Sequence, residues 1–84
     1  MTDESRLASE IVERYHGRPL EARGEAGAAE SHRVRLSGGG KEFYFAFTSL
    51  TNANAFAEEV GALLTVRSRT TWEAEVSSQP PAEG

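Results

Sequence analysis

The chain has 84 residues, with 13 acidic side chains against 9 basic ones, a net charge of −4 and no cysteine. That length fits one small domain, and the absence of cysteine excludes disulfides, thiolate metal sites and thiol nucleophiles. Alanine supplies 12 of the 32 hydrophobic residues, leaving 20 larger core formers, too few to build a core and also enclose a multi-residue active site.

Residues 3–16 have the spacing of an amphipathic helix. Leu7, Ala8, Ile11, Val12 and Tyr15 share one face, while Arg6, Ser9, Glu10, Glu13 and Arg14 fall elsewhere. Thr2 is the expected N-cap, Glu10 and Arg14 the expected i,i+4 pair, and Gly17 the expected residue just past the helix end. Leu20 and Ala22 alternate with Glu21 and Arg23, which predicts a short edge strand over 19–23 that tolerates Pro19. Residues 24–30 carry no large apolar side chain and read as a mobile loop.

The next segment fixes a register. His32, Val34 and Leu36 alternate with Arg33 and Arg35; beyond the glycines, Phe43, Phe45 and Phe47 alternate with Tyr44 and Ala46. A two-residue turn at Gly39-Gly40 places Leu36 opposite Phe43, Val34 opposite Phe45 and His32 opposite Phe47. A slip of one residue would destroy the common apolar face. Residues 50–63 read as a second helix, with Ala53, Phe56, Ala57, Val60 and Leu63 or Leu64 inward and Ser49 or Thr51 as its cap. From 65 to 76, Val66, Ser68, Thr70, Trp72, Ala74 and Val76 share one parity, and Arg67, Arg69, Thr71, Glu73 and Glu75 the other. With no Gly, Pro or Asn to force a turn, one long strand is predicted. The last strand either closes a βαβ crossover or lies antiparallel beside 32–37.

The expected architecture is α+β and two-layered. Three or four mostly antiparallel strands carry two helices on one face, in the order α-(β)-β-β-α-β. Residues 1–76 form one domain and 77–84 a disordered polar tail. The helices cover Val34, Leu36, Phe43, Phe45, Phe47, Trp72 and Val76, and the other face has too few apolar residues to be covered. No apolar run approaches the roughly 20 residues of a membrane span, and the polar start is unlike a signal peptide, so the expected location is cytoplasmic.

Chemistry-bearing constellations are scarce. The two histidines, His16 and His32, and the single aspartate, Asp3, supply too few ligands for a metal site. Ser31 and His32 are neighbours on a strand and point to opposite faces, so they form no Ser–His couple. Glu58 and Glu59 lie about 100° apart on a helix and read as a solvated face. Gly38-Gly39-Gly40-Lys41 is flanked by strands, whereas a phosphate-binding loop leads from strand to helix. The expectation is a non-enzymatic protein without a cofactor.

What remains is charge. Residues 1–30 carry a net −3 and residues 31–47 a net +2. Strand parity puts Arg33, Arg35, Tyr44, Arg67 and Arg69 on the open sheet face, with Glu42, Glu73 and Glu75 farther along. The helices display Glu10, Glu13, Glu58 and Glu59. In small size, helix-borne glutamates and lack of a catalytic set, the chain resembles the small phage- and mobile-element-encoded inhibitors, including anti-CRISPR proteins. That group shares no motif. The resemblance implies a stoichiometric inhibitor that blocks a nucleic-acid-binding surface of a host effector complex. These nine residues are therefore the candidate partner-binding set, with a protein or protein–nucleic-acid complex as the expected partner. The alternative is a small nucleic-acid-binding domain that uses the Arg/Tyr sheet face. A homodimer is compatible with either.

Overall fold

A computed structural model describes residues 3–21, 25, 27 and 29–78. Its elements are α1 (Asp3–Arg14), β1 (Arg18–Leu20), β2 (His32–Gly38), β3 (Lys41–Phe47), α2 (Leu50–Ser68) and β4 (Glu73–Ser78). The hairpin forms as its alternation requires: Leu36 faces Phe43, Val34 faces Phe45 and His32 faces Phe47. Gly39 and Gly40 have φ of 58° and 80°, the positive values that a two-residue hairpin turn demands and glycine supplies without strain. The sheet is wholly antiparallel in the order β1-β3-β2-β4. β4 lies beside β2, so there is no βαβ crossover.

One face of the sheet carries the core. Val34, Leu36, Phe45 and Phe47 are buried together with Ala8, Ile11 and Val12 of α1 and Ala53, Phe56, Ala57, Val60 and Leu64 of α2. Phe56 sits 4.9 Å from Phe45, 5.1 Å from Phe47 and 6.4 Å from Tyr15, measured between ring centroids. Phe43 stacks on Trp72 at 5.7 Å. The fold is α+β, with both helices contributing to this one core.

Three boundaries differ from expectation, each for a local reason. The end of α1 is closed by His16, not by Gly17. The His16 N–H donates to the Glu13 carbonyl at 3.2 Å and the Gly17 N–H to the Val12 carbonyl at 3.1 Å, while His16 takes φ 61°. This is a Schellman closure with histidine in the left-handed position. Gly17 is glycine because a Cβ there would lie 2.4 Å from the Phe47 ring. Thr2, the expected cap, lies outside the described residues. Arg14 reaches across to Glu59 at 3.2 Å, not along its own helix to Glu10.

The second difference is larger. α2 runs through Gly61 to Ser68, so residues 65–68 are helix and not the start of a strand. Hydroxyl groups secure its end. Ser68 Oγ donates to the Leu64 carbonyl at 2.6 Å and accepts from Trp72 Nε1 at 2.9 Å, while Thr65 Oγ1 accepts from the Trp72 N–H at 3.0 Å. Arg69 takes the left-handed C-cap conformation, φ 58°, and the chain reverses into β4. At the helix start, Ser49 Oγ accepts from the Asn52 N–H at 3.3 Å, as one of the two expected caps. Third, β4 includes Ser77 and Ser78, two residues past the expected domain boundary. Residues 79–84 lie outside the described set.

The opposite face is not wholly bare. Leu20 and Ala46 are buried there, since the register sets Leu20 beside Tyr44 and Ala46 between Arg18 and Arg33. Of the strand expected over 19–23, Arg18–Leu20 is observed; Ala22 and Arg23 lie outside the described residues.

His16 and Gly17 give opposite expected outcomes. Gly17→Ala should lower the unfolding free energy by about 1–3 kcal/mol through overpacking against Phe47. His16→Gly should raise it by about 0.5 kcal/mol by relieving left-handed strain. Urea denaturation of both variants checks this; a stabilised Gly17→Ala would contradict the assignment.

Candidate interaction surfaces

The outer sheet face is built in cross-strand rows. One row runs Arg18, Ala46, Arg33, Ser77; the next runs Leu20, Tyr44, Arg35, Glu75. Alternation on β2 therefore places Arg33 and Arg35 side by side on this face. With Val34, Tyr44, Glu75 and Ser77 they line a cavity of about 20 Å³, the size that one water or one small oxygen group fills. The Nε atoms of both arginines are shielded from solvent and have no hydrogen-bond partner among the described residues. Leaving such a donor unmatched costs about 1–3 kcal/mol.

Most other charge on this face is paired. Arg35 Nη2 lies 3.4 Å from Glu75 Oε1, with both side chains well exposed. The Tyr44 hydroxyl donates to Glu42 Oε1 at 2.5 Å. Arg18 Nε donates to Glu30 Oε2 at 2.8 Å and its Nη2 to Glu30 Oε1 at 2.9 Å, and Nη2 also reaches the Glu25 carbonyl at 3.3 Å. The Gly27 N–H donates to Glu30 Oε1 at 2.8 Å. Thus the described part of the connection expected to be mobile is tethered to Arg18. Exposed pairs of this kind contribute about 0–1 kcal/mol each, so they neutralise the surface more than they stabilise it.

The nine candidate residues do not form one site. Arg33, Arg35 and Tyr44 come together on the outer face. Arg67 and Arg69 are absent from it, because the chain there is the last turn and C-cap of α2 and not a strand. Arg67 instead lines a groove of about 340 Å³ with Asp3, Glu4, Arg6, Leu7, Glu10 and Leu64, where α1 meets the end of α2. Glu13 is exposed on α1. Glu58 and Glu59 diverge: Glu58 borders a cleft between α2 and β4, whereas Glu59 accepts hydrogen bonds from the Tyr15 hydroxyl and Arg14 Nη2. Glu59 is thus a strut between the helices. Arg18, Glu30 and Ser77 belong to the outer-face arrangement and were not singled out from sequence. The alternation of β1 could have found Arg18 had the strand been started one residue earlier.

Among the described residues no three His, Asp or Glu side chains are grouped to hold a metal ion. His32 Nδ1 lies 2.7 Å from Ser78 Oγ, at the end of the β2–β4 ladder. No helix among the described residues is long and apolar enough to cross a membrane.

Two titrations follow from these contacts. The Arg18 guanidinium, helped by the Gly27 N–H, holds the Glu30 carboxyl below its ordinary value of 4.5. The stability this tether contributes is complete above that ordinary value and is lost as pH falls through the lowered one. The hydrogen bond to Glu59 raises the Tyr15 hydroxyl above its ordinary 10.0, so that contribution is complete below 10.0 and is lost as pH rises through the raised value. NMR titration of Glu30 should return towards 4.5 in Arg18→Ala, and ultraviolet titration of Tyr15 should fall towards 10.0 in Glu59→Gln. Unchanged midpoints would contradict both pairings.

No family model, no curated protein sequence and no solved structure matches this chain.

Proposed function

We propose that this chain is a non-enzymatic protein-binding module whose outer sheet face receives an acidic segment of a protein partner. The observation that carries this reading is the pair of unmatched Nε donors of Arg33 and Arg35, side by side next to Tyr44. A carboxylate set there meets charge-assisted donors already in place, which bind more strongly than neutral ones. Tyr44 adds a flat, amphipathic contact beside them.

The same face fits a protein better than a nucleic acid. Phosphate backbones select accumulated positive charge. Here Arg18 and Arg35 are answered by Glu30 and Glu75, Glu42 and Glu73 share the surface, and the chain carries a net −4. The two arginines that would have enlarged the basic platform, Arg67 and Arg69, lie on α2 and its cap.

The reading extends to inhibition. With the sheet face docked, Glu10, Glu13 and Glu58 stay outside it, on the helices. They surround the docked module with negative charge that repels phosphate. A small acidic domain seated in this way excludes nucleic acid from a host effector complex by bulk and by charge, as a stoichiometric inhibitor of the anti-CRISPR kind does.

Fluorescence anisotropy with a labelled Glu-rich peptide and with a labelled single-stranded oligonucleotide tests the assignment at low salt. The peptide should bind and the oligonucleotide should not. Arg33→Gln with Arg35→Gln should weaken peptide binding by about 10-fold or more, while Glu10→Lys with Glu13→Lys should leave it in place. Salt-sensitive oligonucleotide binding lost in the arginine variant would favour the nucleic-acid reading instead, and binding of neither probe would sink both.

A further inference from the structure

The two edges of the sheet are built differently. β1 is three residues long and contains Pro19, which blunts it against further pairing. β4 is six residues long, contains no proline, and pairs with β2 without a bulge from Glu73 to Ser78. It ends the strand order, so among the described residues its other edge is unpaired.

The hairpin determines which backbone groups that edge offers. A two-residue turn closes on a hydrogen-bonded pair, here Gly38 and Lys41, and such pairs recur at every second residue. Leu36 and Val34 therefore bond towards β3, and Arg33, Arg35 and Ser37 towards β4. Their partners Ser77, Glu75 and Glu73 direct N–H and C=O inward. Ala74, Val76 and Ser78 then direct theirs outward, as a free ladder. Beside this ladder, on the helix side, Ala57, Gly61, Ala62, Trp72, Ala74 and Val76 border an open cleft of about 550 Å³. Asn54 and Glu58 also border it, and the small side chains of Ala57, Gly61 and Ala62 leave room there for those of an added strand.

The same sequence supplies a fitting strand. In a two-fold antiparallel pairing, a centre at Glu75 would set Glu75 against Glu75, and a centre at Ala74 would set Glu73 against Glu75. A centre at Val76 opposes Glu75 to Ser77, and Ala74 to Ser78, with no like charges facing. On the outer face the joined row then reads Arg35, Glu75, followed by Ser77 and Arg33 of the second copy. Glu75, already 3.4 Å from its own Arg35, gains across a small serine the second copy's Arg33, which has no carboxylate partner among the described residues. Charge complementarity thus points to a second copy as the occupant.

We propose that this chain forms a two-fold dimer by antiparallel β4–β4 pairing centred on Val76. The result is one continuous sheet of both copies, with α2 of each flanking the joint. The contact is isologous and closed. This goes beyond the protein-binding reading, since it assigns the edge of the sheet and not its face.

Sedimentation equilibrium on the full chain should give twice the 9.1 kDa monomer mass as concentration rises. Amide hydrogen exchange should show protection at Ala74, Val76 and Ser78 that grows with concentration, while Glu75 and Ser77 stay protected throughout. Ala74→Pro removes an outward N–H and should disperse the dimer. Ala62→Lys, at an exposed position bordering the cleft, should do the same, each with an unchanged circular dichroism spectrum. Ser77→Glu sets a carboxylate against Glu75 and should weaken association at least 10-fold. A species of 9.1 kDa at every concentration, or a dimer that survives both Ala74→Pro and Ala62→Lys, overturns the proposal. Tyr44→Ala, which lies outside the joined row's ion pairs, weakens peptide capture if the face is the docking site and leaves the edge ladder intact, so the two readings fail separately.

Discussion

Phe56 is the residue on which the arrangement depends. It is fully buried on α2, and its ring meets Phe45 and Phe47 of β3 and Tyr15 just past α1. One side chain thereby holds both helices to the sheet. The constraint spreads from there. Seating α2 over the hairpin brings Trp72 against Phe43, with Gly38 left without a side chain where a Cβ would lie 2.6 Å from the indole. The chain leaving Trp72 then runs antiparallel to β2. Apolar burial, aromatic and aliphatic together, at roughly 25 cal/mol per Å² is the main favourable term in so small a domain. Of the apolar residues, this core leaves only Leu20 and Ala46 buried on the other sheet face, where the arginines, Tyr44 and the glutamates stand.

What could be read from sequence divides along the same line. The hairpin register was legible because two local signals agree: a Gly-Gly turn that sets the loop length, and alternation that only one register satisfies. Arg33, Arg35 and Tyr44 were placed correctly by the same parity. The boundary between α2 and β4 was not legible, because Val66, Arg67, Ser68 and Arg69 alternate as a strand does. Alternation does not register the local closure that ends the helix, in which the indole N–H of Trp72 donates to Ser68 and its backbone N–H to Thr65. Val66, read as the start of a strand, is 75% exposed on the helix. Arg67 and Arg69 followed that error off the sheet face. Glu59 was misread for a related reason, since its partners Tyr15 and Arg14 are distant in sequence and only helix packing brings them to it.

The single net charge conceals an ordered distribution. On the outer face Arg18 has Glu30 and Arg35 has Glu75, while Arg33 has no carboxylate partner among the described residues; on the helix side Lys41 meets Glu4 of α1 at 3.5 Å. A surface of paired charges does little for long-range attraction to phosphate, which depends on unbalanced charge. It does favour recognition at contact distance, where matched partners displace water and mismatched ones are left buried and unpaired. That distinction separates a protein-docking face from a nucleic-acid platform, although both would be described from sequence as arginines beside a tyrosine.

Arg33 is where these lines meet. It stands between Ala46 and Ser77 in its row, so neither strand neighbour offers it a carboxylate. Its Nε is nevertheless shielded, at a cost that a lysine or a glutamine at the surface would avoid. Folding does not require this, because the core on the other face is complete without it. The Arg33 Nε, without a partner among the described residues, is the donor for which either proposed contact would supply an oxygen. In the proposed docking an acidic segment laid on the face does so directly; in the proposed dimer Glu75 of a second copy does so from the edge. Both put the carboxylate on the same side of the sheet, opposite the helices.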